Sequence, residues 1–339
     1  MTIRDRKDLR QTAGRRLQAA SYRPNRLVLI HSGITLAAGL LVAVVQYILQ
    51  QQMNTHSGLS GLETRAILET AAAALSVIVM ILQPFWSMGI IYAALRIARG
   101  KSAYPHTLFE GFRRFGPVLR LNLMLVLIYG ILTFGAMYTS SMLFMFTPTG
   151  AELSEQLMSM ALTGEYTDYY QLAEAIPPQM MAQLYRVVIP IFAVVAAVVL
   201  VPVFYRMRMA SYVLMDQYGT GAWKAIRTSN RMMKRKGVAL FKLDLSFWWY
   251  YLLSAVLTLP LYADLLLEAL EIRLPVEGAL FTVICSAVYT VLMLVLESTA
   301  LPKVMTTYAL AYDALLEETP EPSPQPPQYT HIYQSENEE

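Results

Sequence analysis

Glu297 is the residue of this 339-residue chain whose surroundings most restrict its chemistry. It is the one charge in the run from Gly278 to Leu301, which is otherwise apolar or neutral. A carboxylate held in hydrocarbon costs about 2.5–3.5 kcal/mol on insertion scales, so it normally faces protein or water. Two readings follow. Glu297 is a proton or cation site on a transport path, or it is a carboxylate near the inner interface paired with a base such as Arg206, Arg208 or Lys303. Asp244 and Lys242 read as interfacial, and His31 as a packed or interfacial histidine.

Other chemistry is scarce. The single cysteine, Cys285, excludes a disulfide within the chain and a tetrahedral cysteine zinc site. His31, His56, His106 and His331 share no ligand spacing. There is no His-Glu-x-x-His, no phosphate loop, no Gly-x-Ser-x-Gly and no carboxylate pair suited to intramembrane proteolysis. Gly219-Thr220-Gly221 is an isolated turn signal. The sequence therefore predicts no cofactor, no metal and no recognisable catalytic set.

Basic residues gather in two short segments. Arg113 and Arg114 adjoin an apolar face of Leu108, Phe109, Phe112 and Phe115. Lys224, Arg227, Arg231, Lys234, Arg235 and Lys236 alternate with Trp223, Ile226 and Met233. Such patterns predict amphipathic surface helices, apolar face towards the membrane and cations towards anionic lipid headgroups. These eight residues are the candidate lipid contacts, and no aromatic platform or DNA-reading motif suggests nucleic acid.

The elements that carry these groups follow from composition. Only 15% of residues are charged and 55% are hydrophobic, against about a quarter charged in a soluble domain. The apolar residues fall into blocks long enough to cross about 30 Å of hydrocarbon as helices. They predict an all-α, polytopic bundle with about six spans, at 27–49, 70–95, 121–146, 187–205, 245–263 and 278–301. Residues 1–26 form a basic amphipathic segment, and 27–316 the membrane domain. Residues 317–339 form a proline- and acid-rich tail too poor in apolar groups to fold. The first block is too long for a signal peptide and lacks a cleavage site, so it reads as an uncleaved helix. Pro84, Pro190, Pro202, Pro260 and Pro302 read as kinks, and Gly33 and Ala37, like Ala193 and Ala197, as close-packing pairs.

Charge gives the orientation. Arg4, Arg6, Lys7, Arg10, Arg15, Arg16, Arg23 and Arg26 precede the first block, and the loops after the second and fourth are also basic. The alternate loops hold only Arg65, Arg186 and Arg273. This strict alternation predicts both termini in the cytoplasm. The external segment from Thr147 to Arg186, with Leu153, Leu157, Met158, Ala161 and Leu162 at helical spacing, predicts a helix on the outer surface.

The ends of the even spans look alike: Tyr92-Ala93-Ala94-Leu95, Tyr212-Val213-Leu214-Met215-Asp216 and Tyr308-Ala309-Leu310-Ala311-Tyr312-Asp313. They suggest three related helical hairpins. Gly221-Ala222, Ala225-Ile226, Ser229, Met232-Met233, Lys236-Gly237, Leu240-Phe241, Leu245-Ser246-Phe247, Pro302, Thr306 and Tyr312-Asp313 carry a resemblance to an uncharacterised bacterial integral membrane family, domain of unknown function nine-seven-five. The proline-rich tail and long external loop are unlike its simpler members. A looser likeness is to the membrane portion of glycerophosphodiester phosphodiesterases, whose catalytic domain has no counterpart here. The resemblance implies no settled activity. The sequence itself points to a non-enzymatic envelope scaffold or lipid-interacting protein, with membrane lipids and membrane proteins as partners. The alternatives are a transporter or export component using Glu297, and a membrane enzyme acting on lipid.

Overall fold

The structure is a computed structural model that describes residues 6–55, 59–162, 178–259 and 278–318. Among these residues all regular structure is helical. The short helix α1 (Arg6–Gln18) precedes α2 (Pro24–Thr55) and α3 (Leu59–Ala98). A 3-10 turn at Pro105–Phe109 and the single turn α4 (Glu110–Arg113) lead into α5 (Phe115–Met145) and α6 (Pro148–Leu162). Next come α7 (Pro178–Met207), α8 (Ala210–Asp216), α9 (Ala222–Met232), α10 (Gly237–Leu245), α11 (Trp248–Thr258) and α12 (Gly278–Glu317).

Four stretches of the described residues are helical, long and apolar enough to cross a membrane: Ala73–Ala98, Phe115–Met145, Ala182–Asp216 and Cys285–Glu317. They correspond to the second, third, fourth and sixth apolar blocks. The first block lies in α2, whose 32 residues rise about 48 Å. The fifth block contains helix α11, which follows the turn at Ser246–Phe247, and its last residues, 260–263 with Pro260, lie outside the described residues. Pro84, Pro190, Pro202 and Pro302 are all inside helices.

The buried core is concentrated at one end of the bundle. It joins the C-terminal parts of α3 and α12 with α8, α9, α10 and the start of α5, through residues such as Leu95, Leu214, Met232, Leu243 and Tyr312. Arginine and lysine crowd the surface there, and we call it the basic end. Away from it the helices present apolar side chains outward: Phe134 is 73% exposed, Val198 69% and Val126 68%. An exposed apolar surface this continuous is untenable in water and suits lipid. α5 packs on α7, α2 on α3, and α12 on both α2 and α3.

The amphipathic segments are built into this core. Ala222, Ala225, Ile226, Ser229 and Met232 of α9 are buried, as is Met233, so the apolar face turns into the bundle and Trp223 remains outside. Ser229 Oγ donates to the Arg206 carbonyl at 2.8 Å, tying α9 to the end of α7. The 105–113 segment lies against α3, where Phe85 stacks on Phe112 and Phe115 at centroid distances of 5.1 and 4.7 Å. Two glycines permit this. A Cβ on Gly89 would overlap the Leu108 carbonyl, and one on Gly111 would overlap the Phe85 carbonyl.

The helix expected in the Thr147–Arg186 segment is α6. Its Leu153 packs with Phe144 of α5 and Met180 of α7. Residues 163–177 of that segment, and the acidic tail from 319 onward, lie outside the described residues.

Substitution tests the close approach at α3. Gly89→Val and Gly111→Val each destabilise the folded protein by about 1–3 kcal/mol, the usual cost of overpacking. Gly130→Ala, where an added Cβ meets open space, is neutral or mildly stabilising. Unfolding midpoints in mild detergent measure the contrast.

Candidate functional site

The repeated tyrosine-bearing helix ends meet in space at the basic end. α3 stops because Gly100 adopts a left-handed φ of 72°, with Lys101 N–H donating to the Arg96 carbonyl at 2.8 Å and Gly100 N–H to that of Ile97 at 3.0 Å. This glycine-capped stop sets Arg99 at the helix terminus. The Arg99 guanidinium donates from Nη2 to Asp313 Oδ1 at 2.6 Å, from Nε to both oxygens of that carboxylate at 3.2 Å, and from Nη1 to Asp216. Tyr312 OH donates to Asp216 Oδ2 at 3.0 Å, and Tyr312 stacks on Tyr212 at 5.9 Å. One planar guanidinium thus clamps the ends of α8 and α12 onto α3. The hydrogen bonds to Asp216, then to Asp313, raise the Arg99 pKa above its already high value, so its charge is permanent.

A second carboxylate sits deeper. Asp244 of α10 accepts from Tyr205 OH at 2.5 Å and also from Arg208 and Tyr308. Its side chain is only 14% exposed. Arg208 occupies the break between α7 and α8 and lies over the Tyr308 ring at 4.2 Å. Tyr308 also shares a hydrogen bond with Tyr251 at 2.9 Å. The sequence reading placed Asp244 at an interface; the structure places it in this enclosed network, because α10 folds back against the end of α7.

Glu297 takes a different partner from those expected. Ser32 Oγ of α2 donates to Glu297 Oε2 at 2.6 Å. Among the described residues Glu297 makes no ion pair, and Arg208 is committed to Asp244. Glu297 lines an open cavity of about 460 Å³ between α2, α3 and α12, shared with His31, Ser32, Gln83, Tyr289 and Thr290. His31 Nδ1 is buried there without a hydrogen-bond partner.

The basic candidates divide. Arg114 is committed to the fold: its Nη1 donates to the Leu214 carbonyl at 2.7 Å, and its guanidinium lies 5.2 Å from the Tyr218 ring. Lys236 bonds Glu318, which raises the lysine pKa and lowers the carboxylate's. Arg113 pairs with Glu110 at 3.2 Å on the surface. Arg227 lies over the Trp223 ring at 5.2 Å, and Lys224, Arg231, Lys234 and Arg235 project outward. A larger cationic feature was not singled out in the sequence. Arg6, Lys7, Arg10 and Arg15 of α1 face Lys303 of α12 across a crevice of about 920 Å³ with no acid in its lining. Arg10 lies 5.1 Å from the Phe247 ring, which fixes α1 beside the start of α11. Among the described residues no three metal-ligating side chains lie together.

Among the described residues, an all-α bundle with lipid-suited surfaces and charge clusters at one end defines a helical membrane protein. A family model described as protein of unknown function (DUF975) matches residues 1–319, and the chain belongs to that family. No curated protein and no solved structure matches it. Many of the residues that carried the resemblance, among them Ala222, Ile226, Ser229, Met232, Phe247, Thr306 and Tyr312, are buried at the basic end, while Phe241 and Leu245 are exposed.

Removing the clamp's cation is more damaging than removing the whole clamp. Arg99→Met leaves two facing carboxylates and costs about 2 kcal/mol, between the limits for exposed and buried pairs. Adding Asp216→Asn and Asp313→Asn to Arg99→Met restores most of the loss. The three unfolding midpoints in detergent, compared in low salt, decide this.

Proposed function

We propose that this chain is a multi-pass protein of the bacterial cell membrane that holds anionic lipid headgroups at its cytoplasmic face and works without catalysis. The observation that carries the reading is the crevice between α1 and α12. Five cationic side chains face it, no acid lines it, and its volume suits a phosphate-bearing headgroup. Arginine forks match phosphate oxygens bidentately, and each surface cation adds about 1 kcal/mol of attraction to an anionic leaflet. The outward cations of α9 and the turn after it extend the same sign of charge.

Orientation follows from the same charges. Arginine and lysine held at one end of the bundle fit the cytoplasmic side, with both termini there. In this reading α1 is the headgroup-binding element, and the fixed clamps of Arg99 and Asp244 keep the helix ends beneath it rigid. A scaffold that organises envelope partners needs such a rigid, lipid-anchored platform. The transport reading draws on a separate observation, the cavity at Glu297.

Two measurements test the proposal. Native mass spectrometry of the protein purified from mixed lipid shows retained phosphatidylglycerol. Arg10→Gln with Lys303→Gln lowers that retention about thirtyfold, two lost cations being worth about 2 kcal/mol. Arg186→Gln, near the start of α7 and in neither crevice, leaves it unchanged. Equal retention in the double variant removes the headgroup site. In a Cys285→Ala background, a cysteine at Lys234 reacts with an impermeant maleimide only after the cells are opened. Labelling of sealed cells at that position reverses the orientation.

A further inference from the structure

We infer that the cavity around Glu297 is a binding site for a small organic ammonium ion, taken up in competition with a proton. The inference rests on what surrounds the carboxylate and what does not. Ser32 Oγ is the one hydrogen-bond donor that reaches Glu297 among the described residues. The remaining polar lining is neutral: Gln83 from α3, Tyr289 and Thr290 from α12, and the imidazole of His31 from α2. No lysine or arginine lines the space. The nearest base along α12, Lys303, is six residues away, about 9 Å of helical rise, and opens on the other crevice.

A carboxylate in a span is stable only when protonated, hydrated or matched by a cation. Among the described residues no lysine or arginine lines the cavity, so a cation that matches Glu297 comes from outside. A dehydrated metal ion is a poor match. Calcium or magnesium asks for several oxygen ligands with more than one carboxylate, and the described residues offer one carboxylate and no metal-ligating group of three. The volume, about 460 Å³, is that of a small-molecule site rather than an ion cage. An ammonium ion fits the chemistry: it donates to Glu297 while the lining hydroxyls and the Gln83 amide satisfy its remaining hydrogens. The unpaired His31 Nδ1 marks a further polar contact that the ligand, or water beside it, completes. Leu36, Met293 and Leu294 give the same cavity apolar wall for the ligand's carbon skeleton.

A proton competes for the same oxygens. Binding therefore strengthens as the proton concentration falls. His31, Tyr289 and, from the packed helix α11, Tyr250 are the other titratable groups near the carboxylate. Of these only His31 can carry a positive charge, and protonated it would repel the ligand, so it acts in the same direction.

The test uses three probes of one shape on the full-length protein in detergent: 2-phenylethylammonium, the neutral 2-phenylethanol and the anion phenylacetate. The ammonium ion raises the melting temperature in a saturable way and the other two do not. Glu297→Gln weakens ammonium binding about tenfold or more, the worth of a charged hydrogen bond. Gly39→Leu, at a lining position where an added Cβ meets nothing within 4 Å, puts a side chain into the space and weakens binding similarly, which keeps the test open if Glu297→Gln fails to fold. Arg10→Gln, in the other crevice, leaves ammonium binding unchanged, so the two sites stand or fall separately. No binding of the ammonium ion, equal binding of the three probes, or unchanged binding in the two cavity variants overturns the inference.

Discussion

Two carboxylates at the ends of separate helices face one guanidinium, and the basic end of the protein is organised around that meeting. Asp216 closes α8, Asp313 lies near the end of α12, and Arg99 follows the last residue of α3. Alone, each acid at a helix C-terminus is opposed by the helix dipole. Together with a shared arginine they become a cross-link among three helices. In lipid this matters more than in water, because apolar helix faces gain nothing from choosing one another over acyl chains. Packing and polar contacts must then decide which helices are neighbours. The clamp does so where the helices leave the apolar zone and charge is affordable.

The Asp244 network serves the same end by different means. Its carboxylate gathers the hydroxyls of Tyr205 in α7 and Tyr308 in α12 and the guanidinium of Arg208 in the turn after α7. Arg208 sits where α7 gives way to α8, so the interruption in that long helix is stitched to α10 rather than left loose. Breaking one partner leaves a desolvated charge, which is why such networks hold their geometry. The buried residues of α9 fill the space between the two clusters, and Ser229 fixes that helix by a single bond to the Arg206 carbonyl.

The legible part of this architecture was what depends on local composition. Uncharged runs longer than 18 residues announce helices for lipid, and clustered arginine and lysine announce the end at which they gather. The triplicate Tyr92, Tyr212 and Tyr308 endings were visible as a pattern, yet nothing local says that they meet. Arg99 and Asp313 are 214 residues apart, and Ser32 and Glu297 are 265 apart. Such pairs depend on tertiary arrangement alone. The amphipathic reading of α9 found its two faces but not which neighbour the apolar one would choose, since a protein core and a bilayer satisfy Ile226 and Met233 equally. Asp244 was hidden for a similar reason: a lone acid between Leu243 and Leu245 reads as the edge of a span until α10 is seen folding back.

Both candidate sites share one rod. Along α12 run Glu297 in the neutral cavity, Lys303 in the cationic crevice, then Tyr308 and Asp313 in the two clamps. An α-helix carries translation and rotation along its length, although Pro302 removes one backbone hydrogen bond of α12 between Glu297 and Lys303. A ligand that draws Glu297 towards α2 therefore pulls on Lys303 and on the clamps at once. The converse also holds, since coupling between two sites is reciprocal. What limits the motion is Arg99 and Asp244, whose bonds reach α3, α7 and α10 and resist displacement of α12. The two proposed sites are opposite in sign, one for a cation and the other for an anion, so in that reading α12 lies in the field of both ligands. A charge bound at either site changes the potential at the other, and it does so through a helix whose far end is held fixed.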